Sequence, residues 1–257
     1  MQSAICLLSV IPMRKEPSHR SEMVSQVLFG EYVSVGEEKE DFVFVKCLYD
    51  GYEGWVQANQ LTPGRDNEIF ETIFYTNGFS STVVKNDTII QVPYASPVYN
   101  PDQFSFSVAE TKLTYLFQPQ QAWNIKDLSF NEPTLKAIYQ PFINTPYLWG
   151  GKSVFGIDCS GFAQQVFKFF GVRLLRDAYL QAEQGTLVSS LADAKPGDLA
   201  FFQNEKGRVT HVGIMLNDQK IVHASGRVRI DSIDEEGIAN GETGKRTHKM
   251  QSIRRFF

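Results

Sequence analysis

Cysteine is scarce in this chain of 257 residues. There are three, at positions 6, 47 and 159, and no two stand in a CxxC pair. That excludes a disulfide framework and a thiolate zinc module. An excess of basic residues is also missing: 25 Lys and Arg face 29 Asp and Glu, for a net charge of −4. The electrostatic footprint of a nucleic-acid binder is therefore absent. No apolar run approaches the roughly 20 residues of a membrane-spanning helix. The apolar stretch Ala4–Ile11 has no Lys or Arg before it and runs into Pro12-Met13-Arg14-Lys15 without a small-residue cleavage site. It reads as a first strand rather than a secretory leader. The expected compartment is the cytoplasm; a periplasmic or extracellular one follows if a leader was removed.

With 42% hydrophobic and 21% charged residues, the chain has the composition of a globular protein with room for two or three cores. Residues 1–62 carry short strand-like runs at Ala4–Val10, Tyr32–Val35, Phe42–Cys47 and Gly54–Gln57, separated by turn-prone Gly36-Glu37-Glu38-Lys39 and Asp50-Gly51. Strands at this spacing predict a small barrel or sandwich. Cys6 and Cys47 lie in such runs and are expected to be buried; a pairing between them is left open. Residues 63–124 continue in β, with strands predicted at Glu68–Tyr75, Thr88–Val92, Phe104–Val108 and Lys112–Phe117. Pro119-Gln120-Gln121 marks a linker. Residues 125–257 place helices first (Thr134–Phe142, a Cys159 helix, Arg176–Gln184) and then strands at Leu199–Phe202, Val209–Leu216, Lys220–His223, Arg227–Ser232 and Lys249–Arg255. That order predicts an α+β domain.

The chemistry concentrates on Asp158-Cys159-Ser160-Gly161. Downstream of Cys159 the apolar residues Phe162, Ala163, Val166, Phe169 and Phe170 fall at helical spacing, and Gly171 supplies a stop. Cys159 thus opens a buried helix, where free backbone N–H groups favour a thiolate. A thiolate nucleophile needs an imidazole and a polar group to orient it. His211 and His223 supply those types on neighbouring predicted strands. They share a face of the sheet only if the hairpin loop is odd in length, with Leu216 opposite Lys220 across Asn217–Gln219, or if the hairpin is bulged. His19 and His248 lie in polar surroundings and are expected to be solvated. Asp158 is also placed to cap the helix.

Five motifs in order, Tyr147-Leu148-Trp149-Gly150-Gly151, Asp158-Cys159-Ser160-Gly161-Phe162, Pro196-Gly197-Asp198-Leu199, His211-Val212-Gly213-Ile214 and His223-Ala224-Ser225, resemble the NlpC/p60 family of papain-like cysteine peptidases acting on bacterial cell-wall peptides. The combination Phe29-Gly30-Glu31, Phe42–Cys47 and Gly51-Tyr52-Glu53-Gly54-Trp55-Val56 resembles a bacterial SH3-type domain, and Val92-Pro93-Tyr94-Ala95-Ser96-Pro97 has the turn character of a divergent second one. The resemblance implies a papain-like catalytic domain, a helix packed on an antiparallel sheet, over residues 125–257. Two small all-β SH3-like barrels, at 1–62 and 63–124, precede it. It implies Cys159 as nucleophile, His211 as general base and His223 as the orienting third member, with no cofactor and no metal. The whole architecture is similar to γ-D-glutamyl-L-diamino acid endopeptidases, which cut after D-Glu in muropeptides with a free N-terminal L-Ala. On that basis Glu22 and Tyr52 are candidates for the substrate amine, and Tyr147, Asp158, Ser160, Arg176 and Asp177 for the catalytic-side contacts. Relatives often carry Ser after the Arg-Asp pair where this chain has Ala178, so one side-chain hydrogen bond to substrate is missing or replaced. Peptidoglycan-derived peptides are the implied partners, without nucleic acid or membrane. The alternatives are a zinc site on Cys159, His211 and His223, a non-catalytic wall-binding protein using its SH3-type domains, and a papain-like amidase or acyl transferase.

Overall fold

The computed structural model describes residues 2–64, 74–108 and 110–257. The chain divides into two compact units: residues up to Leu128 together with Trp149–Phe155, and Ser129–Leu148 together with Gly156–Phe257.

In the first unit, a seven-stranded antiparallel sheet runs in the order Met23–Leu28, Val10–Arg14, Glu53–Gln57, Phe42–Cys47, Tyr32–Lys39, Ser3–Cys6, Leu61–Pro63. Period-2 alternation buries Val43, Val45 and Cys47 on one face, where they pack with Ala4, Cys6, Ile11, Met13, Val27, Val33 and Val56. Cys6 and Cys47 are both free thiols in that core. The run expected as one strand over Ala4–Val10 breaks after Cys6. Its backbone groups there serve a turn instead: Gly30 N–H donates to Cys6 O at 2.8 Å and Phe29 N–H to Ser9 O at 3.1 Å. The strand Met23–Leu28 has no sequence expectation, because Ser25 and Gln26 interrupt its apolar pattern; both are buried. Gln26 Oε1 accepts the backbone N–H of Lys152 at 2.7 Å, which is what a buried amide needs.

A four-stranded sheet (Thr88–Pro93, Ser80–Lys85, Thr111–Tyr115, Ser105–Val108) and a three-stranded one (Pro97–Val98, Phe74–Thr76, Ala122–Asn124) complete this unit. The strand expected at Glu68–Tyr75 lies outside the described residues as far as position 73. One apolar core crosses the boundary drawn at 62, joining Ile5, Leu7, Phe29 and Tyr32 to Val83, Tyr99, Phe106, Leu113 and Tyr115. The Tyr99 hydroxyl donates to Gly30 O at 2.8 Å across the same boundary. Trp149–Phe155 is pinned here by a buried ion pair, Lys152 Nζ to Glu31 Oε2 at 3.1 Å. Gly150, at φ +74°, lies so close to Met23 that a Cβ would meet its carbonyl oxygen at 2.5 Å.

In the second unit, helix α1 (Glu132–Tyr139) is capped by Asn131, whose side chain accepts from Thr134 N–H at 2.9 Å, with Pro133 in its first turn. Its buried face is Leu135, Ile138 and Tyr139. The next turn, Gln140–Phe142, tightens to 3₁₀ at Pro141, which has no N–H to donate. Helix α2 (Cys159–Phe167) is buried along its whole length and ends through a 3₁₀ turn at Gly171, at φ +72°. The helix expected over Arg176–Gln184 is only α3 (Ala178–Gln181). Side-chain amides hold the approach to it extended: Gln181 Nε2 donates to Leu175 O at 2.7 Å and Gln184 Oε1 accepts Leu175 N–H at 2.8 Å.

The sheet order is Thr186–Val188, Arg246–Arg255, Leu199–Gln203, Val209–Met215, Lys220–Ser225, Arg227–Asp234, Gly237–Ala239, and the last strand pairs back onto Arg246–Arg255. α2 packs on the strands Val209–Met215 and Lys220–Ser225. At the far end of α2, Phe257 stacks on Phe130 with centroids 4.1 Å apart and lies 5.4 Å from Phe167. Among the described residues no helix is long and apolar enough to cross a membrane.

Candidate active site

Asp158 caps α2, its Oδ1 accepting Gly161 N–H at 2.7 Å, which fixes Cys159 in the first turn. Arg176 locks the cap. Its Nη1 and Nη2 reach Asp158 Oδ1 and Oδ2 at 3.0 and 2.6 Å, and Nη1 also donates to Ser160 Oγ at 3.0 Å. Arg176 is 1% exposed, so its guanidinium braces the start of the helix rather than presenting a free cation. Asp177 is half-buried and uses its carbonyl to accept Leu180 and Gln181 N–H, each at 3.0 Å.

The hairpin has the odd loop: Gly213 pairs with His223, Ile214 with Val222 and Met215 with Ile221, and Leu216 N–H donates to Lys220 O at 2.8 Å. Both imidazoles therefore share a face, and His211 Nε2 lies 2.9 Å from His223 Nδ1. Just before His211 the register slips, with Phe202 opposite His211 but Gln203 opposite Val209, leaving Thr210 as a bulge. Bulges of this kind re-aim a neighbouring side chain. Gly213 is required by close approach: a Cβ there would meet His223 Cβ at 2.9 Å and Ile221 Cδ1 at 2.6 Å.

Cys159 is 5% exposed. Burial, reinforced by the Asp158 carboxylate, pushes its thiol up to about 12, against the pull of the Val212 and Ser160 backbone N–H groups on the sulfur. Val212 is the chain neighbour of His211, so the sulfur lies against the strand that carries the imidazole. Burial, then the neighbouring His248 and His223, hold His211 well below its usual value. A helix terminus alone predicts a thiolate. Burial reverses that here, and the resting proton sits on sulfur beside a neutral imidazole. Tyr147 is half-buried, and burial, with Cys159 and Asp158 nearby, keeps its phenol protonated.

Two residues of this cluster escape the sequence reading. Asp231 Oδ2 lies 3.0 Å from His223 Nε2, extending the line from His211 through His223 to a buried carboxylate. Burial alone would raise Asp231; hydrogen bonds from His223, the Gly241 N–H and Arg229 outweigh it and hold the carboxylate ionised. The signal was available in Ser225-Gly226-Arg227. A turn on Gly226, at φ +70°, pairs His223 with Arg229 and sets Asp231 two residues along on the same face. His248, expected to be solvated, instead stacks on His211 with ring centroids 4.0 Å apart and planes 27° apart. The strand Arg246–Arg255 brings it there. His19 is exposed, 3.3 Å from Asp41.

Glu22 and Tyr52 belong to the first unit. Glu22 is exposed, accepts the Trp149 indole N–H at 2.8 Å and pairs with Lys15 at 3.7 Å. Tyr52 is half-buried against the Val43–Val56 core. In the turn Pro196-Gly197-Asp198 the carboxylate serves the fold, accepting from Arg255 Nε and Nη2 at 2.8 and 2.7 Å.

A thiol at a helix N-terminus beside two hydrogen-bonded histidines is the donor set of a cysteine peptidase. The two facing ring nitrogens bond each other, so they do not converge on a point where a zinc ion would sit. Residues 144–247 match the model of the NlpC/P60 family, and residues 13–61 match the bacterial dipeptidyl-peptidase Sh3 domain. A γ-D-glutamyl-L-lysine dipeptidyl-peptidase of Bacillus subtilis (strain 168) is 33% identical over 78% of this chain and 71% of its own. Dipeptidyl-peptidase 6 of Lysinibacillus sphaericus is 28% identical over 91% of this chain and 93% of its own. The crystal structure of an NlpC/P60 family protein from Bacillus cereus ATCC 10987 superposes with a TM-score of 0.81 at 21% identity, covering 98% of this chain and 99% of that one, which shows a shared fold. The chain belongs to the NlpC/P60 family of cysteine peptidases.

Proposed function

We propose that this chain hydrolyses the amide between γ-D-Glu and the following diamino acid, diaminopimelate or lysine, in cell-wall muropeptides that carry a free N-terminal L-Ala. The observation that carries the reading is the bonded pair His211–His223 on the strands against which Cys159 lies. The names of the relatives, γ-D-glutamyl-L-lysine dipeptidyl-peptidases, support the bond cleaved. In this reading residues 125–257 are the papain-like catalytic domain, 1–62 and 63–124 are SH3-like barrels, and the setting is cytoplasmic muropeptide recycling.

As Cys159 Sγ attacks the γ-carbonyl carbon, its proton passes to His211. The oxyanion is held by the backbone N–H of Cys159 at the α2 terminus, assisted by the protonated Tyr147 phenol. Collapse expels the diamino acid amine, which takes the proton from His211 and leaves a thioester. Water then gives a proton to His211, attacks the thioester carbon and releases the L-Ala-γ-D-Glu carboxylate, and the thiol is restored. Neutral resting partners suit this sequence, since charge appears only as the new bond forms.

The test is hydrolysis of L-Ala-γ-D-Glu-diaminopimelate and its N-acetylated analogue, read by mass spectrometry. The free-amine peptide is expected to be cut and the blocked one spared, and Cys159→Ala to abolish cutting with an unchanged melting temperature. Equal rates on both peptides would sink the free-amine reading. Glu22 is the proposed acidic partner of the substrate ammonium, so Glu22→Gln is expected to raise KM for the free-amine peptide with little change in kcat.

A further inference from the structure

The resemblance assigns three residues to the catalytic line, and the geometry carries it one residue further. Asp231 is 3% exposed and makes four polar contacts: His223 Nε2 at 3.0 Å, Gly241 N–H at 2.9 Å, Arg229 Nη2 at 2.9 Å, and Arg229 Nε at 2.9 Å in an ion pair. Arg229 is itself held by Glu242, Nη1 to Oε2 at 2.9 Å. So many partners fix the carboxylate in one orientation.

A carboxylate accepts only, so the His223 nitrogen facing it must carry hydrogen. In the neutral ring that leaves Nδ1 as an acceptor, and Nδ1 faces His211 Nε2 at 2.9 Å. His211 then donates from Nε2, and its lone pair falls on Nδ1. We propose that Asp231 is a positioning residue that sets the tautomer of both histidines, making Nδ1 of His211 the basic atom and supporting the imidazolium that forms when Cys159 loses its proton. The proposal rests on the cysteine-peptidase reading of Cys159 and His211.

The charged and titratable groups around the two imidazoles come from every neighbouring element: Asp231 bonds His223, Arg229 holds Asp231 from the same strand, Glu242 holds Arg229 from the turn beyond Gly237–Ala239, His248 packs on both rings from the strand Arg246–Arg255, and α2, which begins with Cys159, packs on both histidine strands. Two of them give opposite signs. Removing the Asp231 charge disfavours imidazolium and moves the acid limb of kcat/KM to lower pH. Removing the Arg229 cation favours imidazolium and moves that limb to higher pH.

Three variants, Asp231→Asn, Asp231→Glu and Arg229→Gln, are compared with wild type on the free-amine peptide. Asp231→Asn is expected to lower kcat about 10- to 100-fold with KM within about 2-fold, the range for partners that orient a working histidine. Asp231→Glu is expected to recover part of the loss. Long-range ¹H–¹⁵N spectra of histidine-labelled wild type should show Nε2–H tautomers for His211 and His223, with the His223 signal altered in Asp231→Asn. If Asp231→Asn does not fold, the wild-type spectrum and the Arg229→Gln limb still decide. An Nδ1–H tautomer at His223, or acid limbs moving the same way in the Asp231→Asn and Arg229→Gln variants, would overturn the proposal. A wild type that cuts no muropeptide would sink the substrate reading alone. The tautomers, and the pH dependence of Cys159 alkylation mapped by mass spectrometry, would still judge Asp231.

Discussion

Arg176 illustrates how one side chain can hold the start of the Cys159 helix. Its charge is spent on Asp158 and Ser160, both buried. Removing one partner of a buried pair leaves an uncompensated charge, at a cost of about 3–5 kcal/mol. Arg176→Met is therefore expected to lower the melting temperature by on the order of 10 °C, and thermal denaturation checks it. The histidines bring a pH dependence. Burial holds His211 well below 6.5 and lowers His248 from 6.5 to about 4. Each takes up a proton on unfolding before it would in the folded state, so their neutral burial costs nothing above 6.5 and stability is lost as pH falls from there toward 4. His248→Gln is expected to flatten part of that slope in melting curves taken across this window.

At the scale of elements, the working geometry depends on a hairpin register and a cap. α2 was legible from Cys159 to Gly171 because its apolar spacing, its Asp158 cap and its terminal glycine agree. The odd loop at Asn217–Gln219 was legible as one of two options, since two histidines twelve residues apart share a face across a hairpin only with an odd loop or a bulge. The bulge at Thr210 was not. Val209–Leu216 alternates as a regular strand would, and the slip shows only against its partner Leu199–Gln203. Met23–Leu28 was hidden for the opposite reason: Ser25 and Gln26 are buried, and Gln26 finds its partner in Lys152, distant in the chain. Gly213→Ala tests the hairpin. A methyl there collides with His223, so kcat is expected to fall at least 10-fold while the far-ultraviolet circular dichroism is kept.

Over the whole molecule, chain order and packing order differ. Trp149–Phe155 stands between residues of the second unit in sequence but packs with the first, held by Lys152 and Glu31. Lys152→Met or Glu31→Met alone is expected to cost about 3–5 kcal/mol in denaturant unfolding, and the double substitution less than either, because it leaves no orphaned charge. The boundary at 62 reads in sequence as a break between two β repeats, yet one core crosses it through Phe29, Tyr32 and Tyr99. Local signals determined Cys159 at a helix start, the two histidines and the α+β order, because spacing, caps and turn residues act within a few positions. Asp158-Cys159-Ser160-Gly161 could be recognised for that reason. The tertiary structure alone decided that burial keeps the Cys159 proton on sulfur and that His248 covers His211. Both depend on desolvation and on contacts between elements far apart in the chain.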